Sequence, residues 1–419
     1  MANSNQLHAK RNENEQEQLD SYEFQTPVIF GSTDFEKLLA VIAQDAEKRR
    51  KAGSEARPYY AVDLIRKARL GALRLPVELG GGGVSIRDIF QIVIRLAEAD
   101  SDVAHILRFH FYQVEIILLS PYSTKRQNWL KRIAEGEIIG NAFTEISSKN
   151  VGTLSFQTTL SPDGTGYRLN GTKYFSTGTL YADSVVVMAS TVDGKTASVF
   201  IPTDREGVII EDDWDGIGQR LTGSGTTYLN NVIVHPNEVT IIGDNETPFN
   251  SHLQLYLHAV IAGILRNVVT DAAALVRGRS RSFTFAVAAT PAEDPQLQQI
   301  IGQLSSTAFA AETLVLAAAD AQDKAINAAA NGVIDYALSH EASLLAAKAK
   351  VVIDELALKA ATSLFDVGGA SATKQSANLD RHWRNIRTIA SHNPTVYKAR
   401  AIGNYVVNGV EIPIRSVYF

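Results

Sequence analysis

Two hydrophobic periods alternate along the chain. The segments DFEKLLAVIAQDAEKRRKAG, PYYAVDLIRKARLGALRL, SIRDIFQIVIRLAEAD and SDVAHILRFHFYQVEIILLS repeat apolar residues three and four apart, and they predict four helices. The glycines of PVELGGGGVS predict a tight connection between the second and third, because glycine accepts backbone angles that other residues avoid. Between residues 138 and 245 the pattern changes to short β-branched runs, among them YRLNGTKYFS, SVVVMAST, ASVFIPT, GVIIEDD and TTYLNNVIV, punctuated by DG, NG and GSG. These predict a β-domain. The helical period then returns in long Ala- and Leu-rich segments, 252–280, 295–330, 336–367 and 377–392, with the length and spacing of an antiparallel bundle. The expected division is a mobile polar tail (1–32), a helical domain (33–137), a β-domain (138–245) and a helical bundle (246–419), an α+β protein.

Composition narrows the chemistry. The chain has 419 residues, 45% hydrophobic and 20% charged, which supports a sizeable core. A net charge of −5 with both signs interspersed offers no basic stripe for nucleic acid and no basic amphipathic segment for a membrane surface. The polar start lacks an apolar export segment, and nowhere do about eighteen apolar residues run together, so a cytoplasmic protein is expected. There is no cysteine, which removes thiol chemistry and disulfides. No HExxH, GxxxxGK[ST], GxSxG or post-strand GxGxxG occurs, and no metal site is expected.

On a helix through residues 101–120, His105, Phe109, Tyr112 and Ile116 share one face and His110 points nearly opposite. His105 reads either as a hydrogen-bonded core residue or as an acid/base at the wall of an aromatic pocket. NAFTEIS (141–147) and NGTKYFSTG (170–178) place hydroxyls and amides near aromatics, as a hairpin does and as a site does. The arginines of RGRSRSF (277–283) suit a helix C-terminus or a phosphate, and the glycines of FDVGGASAT (365–373) suit a left-handed cap or a close approach of backbone to a cofactor. His392 stands in RNIRTIASHNPTVYK (384–398) among basic residues.

FTE (143–145), LNGTKYFSTG (169–178) and the paired glycines before DRHWRNIR (380–387), in this order, resemble the acyl-CoA dehydrogenase superfamily over nearly all of residues 33–419. DDWDGIGQRLTGSGTTYLNNVIV (212–234) and HWRNIRTIASHNPTVYK (382–398) are most similar to its flavin-dependent monooxygenase branch, which includes the enzymes of bacterial desulfurisation. The resemblance implies an acyl-CoA dehydrogenase-like fold with an N-terminal helical domain, a middle β-barrel-like domain and a C-terminal four-helix bundle. It implies a homotetrameric, two-component monooxygenase that takes reduced FMN from a separate NAD(P)H:flavin reductase. Through a C4a-hydroperoxyflavin formed with O₂, it would oxygenate sulfur or nitrogen in a small organic substrate.

Residue roles follow from the same resemblance. Asn393 stands where many dehydrogenases carry the glutamate that removes a proton, and asparagine cannot be that base. His105 and His392 match histidines of the monooxygenase branch, implied with Thr177 to handle protons at the flavin. Asn141, Thr144, Ser176 and Thr177 are implied to line the flavin, with Phe175 and Trp214 as apolar walls. Phe109, Tyr112 and Asn393 are implied to face the substrate. Arg281 matches a phosphate-binding arginine supplied across a subunit interface, and Gly368, Gly369 and Ala370 match the bundle loop that approaches the cofactor. Two positions depart from the desulfurisation enzymes, which have tyrosine where Phe109 stands and serine where Thr177 stands. RSF at 281–283 lacks the QFG of FAD-binding dehydrogenases, which favours FMN. An FAD-dependent acyl-CoA dehydrogenase or oxidase with a base elsewhere, and a non-catalytic flavin-binding scaffold, are the competing expectations.

Overall fold

A computed structural model describes residues 22–52, 56–146, 156–243, 249–416 and 419. Helix α1 (Thr33–Lys51) begins where the Ser32 hydroxyl accepts from the Phe35 amide. The second predicted helix is shorter than expected: α2 (Tyr59–Lys67) stops before a left-handed Arg69, and a 3₁₀ turn, Leu70–Ala72, follows. Helix α3 (Ile86–Ala99) opens with a reciprocal capping box between Ser85 and Asp88. The fourth predicted helix is two, α4 (Ser101–Ile106) and α5 (Arg108–Leu119), broken at Leu107. Helix α6 (Thr124–Ala134) was not foreseen, because TKRQNWLKRIA turns only Trp129, Leu130 and Ile133 inward.

Residues 22–32 correct the expected tail. Val28 is fully buried, its amide donates to the Ala68 carbonyl at 2.9 Å, and Tyr22, Phe24 and Phe30 pack against the core. These apolar side chains outweigh the polar composition around them. Residues 1–21 of that tail lie outside the described residues.

The middle region forms a sheet of β1 (Ile139–Ala142), β2 (Thr159–Asp163), β3 (Gly166–Lys173), β4 (Ser184–Thr191), β5 (Thr196–Pro202), β6 (Val208–Ile210), β7 (Thr227–Val234) and β8 (Val239–Ile241). Its order is β6-β7-β3-β2-β4-β5-β8, with β1 running parallel beside β4. Among the described residues no ladder joins β6 to β8. β4 is buried from Ser184 to Ala189 without alternation, as expected of a strand covered on both faces.

Helices α7 (Asn250–Gly278), α8 (Pro295–Asn327) and α9 (Tyr336–Gly368) pack on one another, and α10 (Asp380–Ala390) and α11 (Thr395–Asn408) lie against α9. By length and composition α7 and α8 are apolar enough to cross a membrane, but both are helices of this bundle. Helix α3 clamps the N-terminal helices to it. The Asp323 carboxylate on α8 accepts from the Ile86 and Arg87 amides at 2.8 and 2.9 Å, which satisfies free N–H groups at the start of α3. At Gly263 a Cβ would stand 2.4 Å from the Ile94 carbonyl, so α3 and α7 meet backbone to backbone. The clamp fixes α4 and α5 opposite the end of α10, and a cleft lies between them.

Candidate active site

The cleft is a cavity of about 760 Å³ between α4, α5, the sheet and the end of α10. Phe109 packs edge-on against Phe143 (ring centroids 5.1 Å), and Phe175 against Trp214 (5.9 Å), forming two apolar walls. Phe175 and Ile217 are 51% and 56% exposed and mark the mouth. The lining brings together eight residues singled out in the sequence: His105, Phe109, Asn141, Thr144, Phe175, Thr177, Trp214 and His392. Three others stand just behind it. Tyr112 packs on Phe109 at 5.8 Å, Asn393 donates from Nδ2 to Gln254 Oε1 at 2.6 Å, and the Ser176 hydroxyl is buried without a hydrogen-bond partner.

Both site imidazoles are neutral. Burial, aided by the Arg108 charge, pushes His105 down to about 3. The same two causes, with His105 itself next, hold His392 well below the ordinary histidine range. Arg108 donates from Nη1 to His392 Nε2 at 3.3 Å, and the Asn393 amide nitrogen lies 3.4 Å from His392 Nδ1. His105 Nδ1 lies 2.9 Å from Gln219 Oε1, and its Nε2 is buried without a partner. His110 is a core residue. Its Nδ1 accepts from the Ile139 amide at 3.2 Å and its Nε2 donates to the Gly71 carbonyl at 3.0 Å.

Glu145 is a carboxylate on the cavity lining, and the fold occupies it. Its Oε1 accepts from Lys173 Nζ (2.7 Å), the Thr158 hydroxyl (2.6 Å) and the Thr158 amide (2.9 Å), and its Oε2 from the Gln157 amide (2.6 Å). Burial raises its pKa, but these bonds outweigh burial and leave it lowered. A carboxylate so held is a poor proton acceptor. This pair explains why FTE and NGTK occur together: the first supplies the carboxylate, the second the buried ammonium, and Gly171 makes room where a Cβ would strike the Thr158 side chain at 2.3 Å. Lys173→Met should destabilise the protein by about 3 kcal/mol, since Glu145 would keep its charge without its counterion. Urea denaturation checks this; an unchanged midpoint would show that the backbone and hydroxyl donors suffice.

Arg281, Gly368, Gly369 and Ala370 are not on this cavity. They lie together elsewhere, at the ends of α7 and α9, where Arg279 Nη1 donates to the Val367 carbonyl at 2.8 Å. One chain cannot bring them to the imidazoles. The sequence reading missed Arg108, Ser224 and Gln219, all on the lining. Arg108 lies one turn beyond His105, a spacing that signals a shared face; the other two carry no local signal.

Profiles of the acyl-CoA dehydrogenase middle domain and C-terminal domain match residues 140–232 and 255–397. The chain is 30% identical over 381 residues to a dibenzothiophene monooxygenase of Mycolicibacterium goodii, covering 86% of this chain and 89% of that protein. It is 31% identical over 388 residues to a probable FMNH2-dependent monooxygenase, SfnC, of Pseudomonas putida, covering 89% and 93%. FMN-bound TdsC from Paenibacillus sp. A11-2 superposes with a TM-score of 0.83 at 28% identity, covering 92% of this chain and 98% of that one. The open cleft, the aromatic walls and these likenesses define one class: the chain belongs to the flavin-dependent monooxygenase branch of the acyl-CoA dehydrogenase superfamily. It is an oxidoreductase whose cofactor is FMN and whose substrate is a small molecule.

The residues present fit that cofactor. The cavity volume suits a tricyclic ring with a small organic molecule beside it, its walls are aromatic, and the orphaned His105 Nε2 and Ser176 Oγ await hydrogen-bond partners.

Proposed function

We propose that the protein takes reduced FMN from a separate NAD(P)H:flavin reductase and oxygenates sulfur in a small organic molecule. The observation that carries this reading is the pairing of two neutral imidazoles on one cavity that, among the described residues, offers no available carboxylate base. Asn393 stands where a dehydrogenase base is expected, and Glu145 is already occupied by Lys173. Reduced FMN supplies the two electrons with which one atom of O₂ enters the substrate and the other leaves as water. Phe109, Phe143, Phe175 and Trp214 exclude water, Arg108 orients His392, and His105 offers Nε2 as a hydrogen-bond acceptor. Sulfur as the target follows the desulfurisation relatives. Chemically reduced FMN plus O₂ should give oxygenated product from an organosulfur panel with no reductase present, whereas NAD(P)H with oxidised FMN should give none. Product from NAD(P)H alone would contradict the two-component reading.

The flavin phosphate is assigned to Arg281 of a neighbouring subunit, with the Gly368–Gly369–Ala370 loop beside it. Support comes from exposed apolar side chains near that loop and along α8: Phe283, Phe285 and Phe309 are 70%, 94% and 72% exposed. Such a surface suits a homotetramer built on the bundle, working in the cytoplasm. Arg281→Ala should weaken FMN binding by about 1.5–3 kcal/mol through loss of a charged hydrogen bond. Anaerobic titration checks this, and wild-type affinity would place the phosphate elsewhere.

A further inference from the structure

We propose that Gln219 is a positioning residue that sets the hydrogen-bond polarity of the cavity wall, so that the wall selects reduced over oxidised FMN; this rests on FMN being the cofactor. Gln219 is buried, its backbone is left-handed (φ 51°), and each of its polar groups is used. Its amide donates to Asn385 Oδ1 at 2.8 Å. Its carbonyl accepts from Trp214 Nε1 at 3.0 Å and Thr222 Oγ1 at 2.8 Å. In the side chain, Nε2 donates to Ser101 Oγ at 3.2 Å and Oε1 faces His105 Nδ1 at 2.9 Å. Gln219 therefore ties α4, α10 and the Trp214 loop into one knot behind the cavity.

Two chains of consequence run from this residue to the wall. A carbonyl has no hydrogen to give, so the Thr222 hydroxyl directs its one proton to Gln219. Ser224 Oγ, 2.7 Å from Thr222 Oγ1, must then donate to it, and Thr177 Oγ1, 2.8 Å from Ser224 Oγ, must donate to Ser224. Thr177 is left facing the cavity with lone pairs only. The second chain is shorter. Gln219 Oε1 holds the His105 proton on Nδ1, so the neutral ring presents a bare Nε2. The Arg108 charge in the same cavity favours a lone pair there over an N–H.

The wall thus offers two acceptors, fixed from behind. Oxidised isoalloxazine has a bare, accepting N5, whereas the reduced ring carries an N–H at that atom. Acceptors set against an acceptor repel; set against an N–H they bind. A wall of this polarity takes up the reduced cofactor and lets the oxidised one go, as exchange with a separate reductase requires.

The test is anaerobic titration of the apoprotein with oxidised FMN and with dithionite-reduced FMN, followed by tryptophan fluorescence. Wild type should bind the reduced form at least about tenfold more tightly, the size of one good hydrogen bond. Thr177→Val should narrow that ratio by removing an acceptor. Ser224→Ala should narrow it differently, by freeing the Thr177 proton to turn into the cavity and tighten oxidised FMN. Nitrogen-15 NMR of histidine-labelled wild type, with His105→Asn for assignment, should place the His105 proton on Nδ1. Equal affinity for the two redox states, an unchanged ratio in both variants, or a proton on His105 Nε2 would overturn the proposal. Failure to bind FMN in either state would overturn the cofactor reading as well.

Discussion

Replacing His105 by alanine is expected to weaken reduced FMN by no more than about tenfold, the size of the one hydrogen bond lost, while oxygenated product per flavin consumed falls by roughly 10²-fold, the usual scale for losing a positioned proton-handling group. Hydrogen peroxide should account for the difference. The reason lies in what the imidazole presents. His105 is neutral, buried and bonded at Nδ1, so only Nε2 is available to a reacting proton, and alanine removes that acceptor without opening the aromatic walls. Gln219 Oε1 would lose its donor, which costs about 1–3 kcal/mol of stability. The loss of coupling should therefore be measured at a temperature where the variant is folded. His392→Ala should act in the same direction, because Arg108, held also by the Leu253 carbonyl, would lose one of the acceptors that orient its guanidinium at the cavity. Product and peroxide are counted together in one assay. Wild-type coupling in both variants would remove the imidazoles from the chemistry.

Acid should unfold the protein at a milder pH than carboxylate protonation requires. Burial is the largest cause in each of four histidines held low in the folded state: His105 and His252 at about 3, His110 and His382 at about 4. In the unfolded chain they titrate near 6.5. The folded pKa values are depressed, so the unfolded chain binds more protons below about pH 6.5, and the stability present above that value is lost as pH falls towards 4 and then 3. At pH 5 each histidine has forfeited about 2 kcal/mol, and the four together about 8, which is comparable to the whole stability of a domain. Asp271 and Asp354 do not contribute in this window. Burial raises both, but hydrogen bonds from His382 to Asp271 and from His258 to Asp354, with neighbouring cations, bring each down to about 2, so their loss begins below about pH 4. Denaturant midpoints measured from pH 7.5 to 5 should fall steeply below pH 6.5. A flat profile down to pH 4.5 would show that these imidazoles are protonated in the folded protein.

The sequence made the two site histidines legible because each interrupts an otherwise informative stretch. His105 breaks an aromatic stripe, and His392 lies beside Asn393, where a catalytic carboxylate was expected. Other features were hidden for identifiable reasons. Helices α4 and α5 read as one, since Leu107 breaks them without a glycine or proline to signal it. FTE and NGTK suit a hairpin as well as a site, because Glu145 and Lys173 meet only in the fold, across 28 residues. Gln219 could not be found by period or composition. Its partners lie 114, 118 and 166 residues away, and its left-handed backbone follows from those bonds. Arg281 and the paired glycines at 368–369 were visible as unusual residues, but one chain leaves them away from the imidazoles, and their proposed role needs a second subunit.

The central claim, that this cavity directs O₂ with reduced FMN onto a substrate sulfur, is tested most directly by a single turnover in ¹⁸O₂. Protein loaded anaerobically with reduced FMN is mixed with labelled oxygen and an organosulfur panel, and products are read by mass. The expected result is a sulfur product carrying one ¹⁸O atom from the gas for each flavin oxidised. Unlabelled substrate throughout, with an acyl-CoA reducing bound flavin in the absence of oxygen, would contradict it.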